Sequence, residues 1–389
     1  MKIAMLAWES LHSVKVGGLS IVVSRQAEEL SKRGHDVHVI TRWADGQTEY
    51  EYVNGVHYHR CKFDPGLNLV HFSHNMSMSF VARLKEVEKT HGKFDIIHGH
   101  DWHIVDALHE LKVNEKRPVV ITYHSTEYGR NGSRFGDWWE FGEVSGKEWY
   151  GGLIADRVTT VSHAMKNELN WLYKIPPEKI DVTPNAVDPR KYQMKIDPGR
   201  IKERHGVHPL APLVLYIGRV DYQKGPDLLL EAIPKVISHR WDVKFIFAGD
   251  GGMRSWLEGR AGEFGVAQNT KFLGWVPYWG YVELLNAADM VCIPSRNEPF
   301  GIVLLEAWST GRPVVACDVG GLGENIENFV NGIKVYPNPD SIAWGINYLL
   351  DNPDEMKKIS EGAKTSVNKF SWTNVLNLVM ECYNKVLGK

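Results

Sequence analysis

The feature that most constrains the fold of this chain is a rhythm that runs twice. Short β-branched runs alternate with amphipathic helical patterns from residue 2 to 182, and again from 213 to 317. A stretch rich in proline and charge, residues 184–212, separates the two series. Strands that alternate with helices pair in parallel, because each helix is long enough to carry the chain back across the sheet. The first series predicts strands at 2–7, 36–41, 94–98, 119–123, 157–161 and 179–182, with helices at 18–33 and 164–173. Gly34 is placed to stop the first helix and Ser162 to cap the second. The second series predicts strands at 213–218, 243–248, 270–273, 290–294 and 313–317, with helices at 226–238, 253–264, 281–287 and 301–310. Two such series imply an α/β protein of two doubly wound domains. Ligands of these sheets sit at the carboxyl ends of the strands, so facing domains would enclose a cleft. The chain ends in a helical pattern at 372–387, with Trp372, Val375, Leu376, Val379, Tyr383, Val386 and Leu387 on one stripe.

With 389 residues the chain exceeds what one core usually holds. It is 43% hydrophobic and 24% charged, an ordinary soluble composition. A formal net charge of −2 argues against nucleic acid held by bulk charge. Cys61, Cys292, Cys317 and Cys382 are scattered and form no C-x-x-C, so a reduced, cytoplasmic thiol set is expected. The apolar run at the N-terminus stops at Glu9, too short for a signal peptide. No run approaches the ~20 apolar residues of a membrane span, which leaves peripheral membrane association open.

The most telling segment runs from Arg296 to Glu306. Glu298 and Glu306 stand eight positions apart, and Pro299 is a good helix opener between them. One carboxylate sits before the helix and the other about two turns in. Fixed carboxylates accept hydrogen bonds from sugar hydroxyls, and free amides at a helix start suit phosphate.

Other loops follow predicted strands. Lys15-Val16-Gly17-Gly18-Leu19 opens a helix and suits close approach of a phosphate, or is a plain turn that needs glycine geometry. Arg219 and Lys224 lie between a strand and a helix, where they could clamp a diphosphate or stand as a solvated pair. In His98-Gly99-His100-Asp101-Trp102-His103, the three histidines invite a metal, but no H-E-x-x-H pattern accompanies them, and no metal is assigned. Asp101 is either a helix cap or part of a substrate-contacting loop. His124 follows another strand and is either a cleft-facing catalytic group or a buried, hydrogen-bonded histidine. The run 129–152 carries Phe135, Trp138, Trp139, Phe141, Trp149 and Tyr150. It reads as an elaborated loop with short helices, most rings packing and one or two contacting an acceptor. No Asp-x-Asp occurs, so a metal-bridged diphosphate is not indicated.

Taken in order, several motifs together resemble the retaining glycosyltransferases of family four, across nearly the whole chain. They are Gly17-Gly18-Leu19, His124, Val161-Ser162, Pro184-Asn185-Ala186-Val187-Asp188, Gly218-Arg219 with Lys224-Gly225, Gly249-Asp250-Gly251, and the pair Glu298 and Glu306. The resemblance implies a GT-B fold: two facing Rossmann-like domains with an interdomain cleft. The N-terminal acceptor-side domain would cover 1–190, with helix 372–389 packing back on it, and the donor domain 191–371. It implies that Glu306 holds the nucleotide ribose, and that Glu298 with the backbone of Phe300, Gly301 and Ile302 holds the donor sugar. Arg219 and Lys224 would hold the diphosphate as it leaves, approached from the other domain by Gly17 and Gly18. His124 would contact the sugar near the reacting carbon, and Gly274 and Val276 would lie beside the base. Lys15, Asp101, Asn185 and Val303 complete the expected binding set.

No cofactor is implied. The donor would be a nucleotide sugar of the UDP- or ADP-glucose type. Lys15–Leu19 and His98–His103 are also similar to the corresponding segments of glycogen and starch synthases. That favours a hexosyltransferase acting on an α-glucan. A lipid-linked or small sugar acceptor is the alternative, with an epimerase or a non-catalytic nucleotide-sugar-binding regulator behind it. The absence of G-x-G-x-x-G disfavours a dehydrogenase.

Overall fold

The computed structural model describes all 389 residues. They divide into two compact units, the first formed by Met1–Tyr128, Phe135–Asn185 and Trp372–Lys389, the second by Gly129–Arg134 and Ala186–Ser371.

The first unit is built on eight strands: β1 (Lys2–Leu6), β2 (Asp36–Arg42), β3 (Tyr50–Val53), β4 (Val56–Cys61), β5 (Ile96–His100), β6 (Val119–Tyr123), β7 (Arg157–Thr160) and β8 (Ile180–Val182). Their order is β3-β4-β2-β1-β5-β6-β7-β8. Only β3 and β4 pair antiparallel. Their turn, Asn54-Gly55, has both residues at positive φ (52° and 83°), as a tight two-residue hairpin requires. The longer helices before the C-terminal one are α1 (Gly18–Lys32), α2 (Leu69–His91), α3 (Trp139–Ile154) and α4 (His163–Tyr173). Ser162 caps α4 by accepting a hydrogen bond from the Met165 amide at 3.0 Å. The C-terminal helix Trp372–Leu387 buries Leu376, Val379, Cys382 and Tyr383 in the same core as Ile3, Val23, Val39 and Val120. Each such side chain contributes about 1.5–3 kcal/mol when fully buried.

The segment 129–152 differs from the sequence expectation, and the hairpin β3–β4 and helix α2 were not expected. The segment 129–152 is not mainly loop, because most of it is the sixteen-residue helix α3. Its rings pack on one another at the surface: Phe135 and Trp138 lie against buried Phe141, while Phe135, Trp138, Trp139 and Trp149 stay exposed. On α3, Trp139, Gly142, Gly146, Trp149 and Leu153 fall on one exposed stripe.

The second unit has six parallel strands: β9 (Leu213–Ile217), β10 (Lys244–Ala248), β11 (Thr270–Gly274), β12 (Met290–Ile293), β13 (Val314–Cys317) and β14 (Ile333–Val335). Their order is β11-β10-β9-β12-β13-β14. Helices α5 (Pro226–His239), α6 (Arg254–Glu263), α7 (Tyr278–Ala287), α8 (Ile302–Ser309), α9 (Pro339–Asp351) and α10 (Pro353–Ser366) accompany them. Every residue of β9, β12 and β13 is buried, as expected of central strands covered on both faces.

The strand orders fix where ligands can enter. In the second unit the chain runs outward from β9 to β11, then returns to the other side of β9 with β12. In the first unit the same reversal falls between β1 and β5. The loops that leave β9 and β12, and those that leave β1 and β5, therefore flank the crevice of each sheet.

Candidate active site

In the second unit, Gly218 follows β9 with φ 150° and hands the chain to Arg219. The loop ends at Gly225, whose left-handed backbone (φ 64°) precedes Pro226 at the start of α5. A Cβ on Gly225 would meet the Pro294 carbonyl oxygen at 2.1 Å, so only glycine lets this loop reach the one after β12. The two loops are then tied together. The Lys224 ammonium donates to Glu298 Oε2 at 2.8 Å, and Ser295 Oγ donates to the same oxygen at 3.1 Å. Arg296 forms an ion pair with Asp227 and lies 3.9 Å from the centroid of the Tyr222 ring. Ser133, from the segment Gly129–Arg134, accepts a hydrogen bond from the Asn297 amide group at 3.0 Å. Arg219 is paired with Asp221 at 2.7 Å and with Gln223 at 2.8 Å, yet half its side chain is exposed.

Glu298 is held from behind by the turn after β13. The Gly321 amide donates to the Glu298 carbonyl at 2.8 Å. A Cβ on Gly320 (φ 49°) would meet that carbonyl oxygen at 2.2 Å. Beyond it, Phe300 is buried, Gly301 is left-handed (φ 95°), and Ile302 and Val303 open α8 half-buried, with no side chain capping that helix. Glu306 lies two turns in and is buried. Its carboxylate accepts from Tyr192 at 2.9 Å and from the Tyr281 hydroxyl. Burial pushes its pKa up to about 7, against the pull of the Tyr192 hydrogen bond. Two tyrosines therefore occupy the carboxylate expected to meet a ribose, although four lone-pair directions leave room for a further donor. Gly274 is left-handed (φ 68°) beside Arg254, and Val276 is half-buried just after exposed Trp275.

In the first unit, Lys15 and Gly18 are exposed and Gly17 is half-buried. Gly17 is extended (φ −149°), so these glycines do not serve a left-handed turn. The amides of Val16 and Gly17 are already taken by Glu9 Oε2, at 2.6 and 2.8 Å. A phosphate at this loop would have to use the first amides of α1 instead. Glu9 is buried, which raises its pKa, while the two amide hydrogen bonds pull it down.

Asp101 does not cap the helix that follows it. Its Oδ1 accepts from the His124 amide at 2.7 Å, and its own backbone has φ 60°, rare for a residue with a side chain. The His124 ring is 3.1 Å from His100. His98 bonds Tyr383 of the C-terminal helix at 2.7 Å and Thr122 at 2.6 Å. Burial pushes His98 and His124 down to about 3, so both rings are neutral at pH 7. His103 stacks between Trp8 and Trp102, apart from the other two histidines. Asn185 is buried at the end of the first unit, and the Ala186 that follows has no positive φ, so alanine fits that turn without strain.

A family model described as "Glycosyltransferase Family 4" matches residues 16–191, and one described as "Glycosyl transferases group 1" matches residues 199–366. An uncharacterized glycosyltransferase of Methanocaldococcus jannaschii is 37% identical, with 98% of each chain covered. The chain belongs to the GT-B glycosyltransferases. This glycosyltransferase is also 28% identical to a glycogen synthase of Mycobacterium tuberculosis, over 98% of its own chain and 94% of that one. Among solved structures, Anabaena Alr3699/HepE in complex with UDP-glucose superposes with a TM-score of 0.79, at 21% identity and full coverage of both chains.

Several site residues carried no sequence signal that pointed to them. Glu9 and Ser295 stand just before motifs but belong to no recognised pattern, and Tyr192 and Tyr281 are polar residues in unremarkable settings. Gly320-Gly321-Leu322-Gly323, in contrast, follows a predicted strand, and its three glycines are a turn signal that could have marked it.

Proposed function

We propose that this glycosyltransferase is a retaining hexosyltransferase that moves glucose from a nucleoside-diphosphate sugar to an α-glucan. The observation that carries the proposal is the Lys224–Glu298 pair at 2.8 Å, set at the switch point beside the uncapped start of α8. It joins a cation for the departing diphosphate to a carboxylate for sugar hydroxyls. The relative named glycogen synthase and the neighbour solved with UDP-glucose agree with this donor class.

In the proposed reaction Glu298 and the amides at Gly301 and Ile302 hold the sugar, and Glu306 holds the ribose. Gly274 and Val276 lie along the base. The acceptor hydroxyl forms its bond to the anomeric carbon on the face from which the diphosphate leaves. The leaving phosphate oxygen takes the acceptor proton. Arg219 and Lys224 offset the charge that develops on the diphosphate. His124, a neutral ring oriented by Asp101 through its backbone, donates to or accepts from the sugar rather than supplying a positive charge. The exposed α3 stripe offers Trp139 and Trp149 as platforms on which a glucan chain can stack.

The same stripe favours a second reading. Trp139, Trp149 and Leu153 could enter a membrane surface and present a lipid-linked acceptor. Incubation with UDP- and ADP-glucose against glycogen, maltooligosaccharides and lipid-linked sugars separates the two. The first reading predicts labelled glucan whose new linkage is α by NMR. Transfer only to the lipid-linked sugar, or a β linkage, would contradict it.

A further inference from the structure

Near the amino-terminal ends of β2 and β4 and the end of α2, three histidine side chains meet, and Asp36 lies beside two of them. His38 and His57 are register partners on the adjacent parallel strands β2 and β4, and their rings stack at 4.3 Å. His91, the last residue of α2, brings a third imidazole, and one ligand atom from each ring lies within 4.8 Å of the others. Asp36 adds a carboxylate: its Oδ1 is 3.1 Å from His38 Nε2 and 3.8 Å from His57 Nε2. A tetrahedral ion bound at about 2.1 Å needs donors about 3.4 Å apart. The two Asp36 distances bracket that value. The rest of the closure can come from exposed His91.

The second nitrogen of each ring is already engaged. His38 Nδ1 meets His59 at 2.9 Å, His57 Nδ1 meets the Tyr50 hydroxyl at 2.9 Å, and His91 Nδ1 meets Thr90 Oγ1 at 2.8 Å. Outer partners of this kind fix the tautomer of a metal-bound imidazole and leave Nε2 free to coordinate. Phe94 lies edge-on to His38 and supplies an apolar wall. The nearby Lys2 ammonium is turned away onto the His91 carbonyl.

We infer that His38, His57, His91 and Asp36 form a binding site for one divalent transition-metal ion of the zinc type. All four protein ligands fill the tetrahedron, and the site lies at the opposite end of the strands from the active-site loops. The ion therefore acts as a staple that ties β2, β4 and α2 together, not as a catalytic Lewis acid.

The test is calorimetric titration of Zn²⁺ into metal-stripped full-length protein. One equivalent should bind, and His57→Ala and His91→Ala should each weaken binding at least tenfold. His74→Ala, an exposed histidine elsewhere on α2, should leave it unchanged. The same titration with Co²⁺ should give the strong visible bands of a four-coordinate ion in the wild type, a result that needs no variant to fold. No binding, binding indifferent to both ligand substitutions, or the weak spectrum of a six-coordinate ion would each overturn the assignment.

Discussion

Lys224 Nζ lies 2.8 Å from Glu298 Oε2, so a loop from β9 and a loop from β12 share one charge pair. Neither side chain is fully exposed, and each holds the other in place. Lys224→Ala removes the partner that orients Glu298 and, on the proposed function, the cation for the leaving diphosphate. Turnover should fall by about 10²–10³, the loss typical of one preorganised electrostatic donor. Lys224→Arg should recover only part of this, because its planar fork cannot occupy the same point. Steady-state kinetics with circular dichroism to confirm folding checks both.

Glu306 makes stability depend on pH in a defined direction. Folding raises its pKa from 4.5 to about 7, so the unfolded chain ionises first as pH rises. Its favourable contribution is complete below pH 4.5, is lost between about 4.5 and 7, and is absent above. The swing is about 3 kcal/mol. Glu306→Gln has no charge to bury. Relative to wild type it should gain stability from about pH 4.5 to pH 7 and level off above, as thermal or urea denaturation at each pH would show.

Gly320 is set against the Glu298 carbonyl, and Gly265 provides the comparison. Both have positive φ, but nothing lies within 4 Å of a Cβ on Gly265. Gly265→Ala should cost about 1 kcal/mol for backbone conformation alone. Gly320→Ala must also push on the Glu298 loop. It should cost at least twice as much and lower turnover, whereas Gly265→Ala should leave turnover intact. Urea midpoints with kinetics on both variants separate the effects.

His124 is neutral across the working range, because burial pushes it down to about 3. His124→Asn should reduce turnover about tenfold or more without moving the pH–rate profile between pH 6 and 8. A profile that lost a limb near pH 6.5 would mean that the ring titrates during the reaction.

The fold was legible where burial imposed a pattern. Fully buried strands such as Val119–Tyr123 and Leu213–Ile217 announce themselves as apolar, β-branched runs, and the C-terminal helix as a stripe. Strand β3 did not, because Tyr50, Glu51 and Tyr52 are all exposed and carry no apolar alternation. Its hairpin was still encoded in Asn54-Gly55, a turn signal stronger than either strand. At the site, Arg219, Lys224 and Glu298 stood out as charges on loops that follow strands, and Glu306 as a carboxylate eight positions beyond Glu298. What those charges already hold was hidden. The tyrosines on Glu306 and Asp101 on the His124 amide join residues distant in sequence, and Glu9 reaches the Gly17 amide across a loop with no spacing motif. The three histidines of the inferred metal site share that property, lying on two strands and a helix end with no spacing motif.

The central claim is that the second unit's loops hold a nucleotide-sugar donor through Lys224 and Glu298. Release of nucleoside diphosphate from a panel of nucleotide sugars, with glycogen, maltooligosaccharides or water as acceptor and no added metal, tests it most directly. Release from at least one glucose nucleotide, reduced at least a hundredfold in both Lys224→Ala and Glu298→Ala, is the predicted result. No release from any donor, or release that survives either substitution in a folded protein, would contradict it.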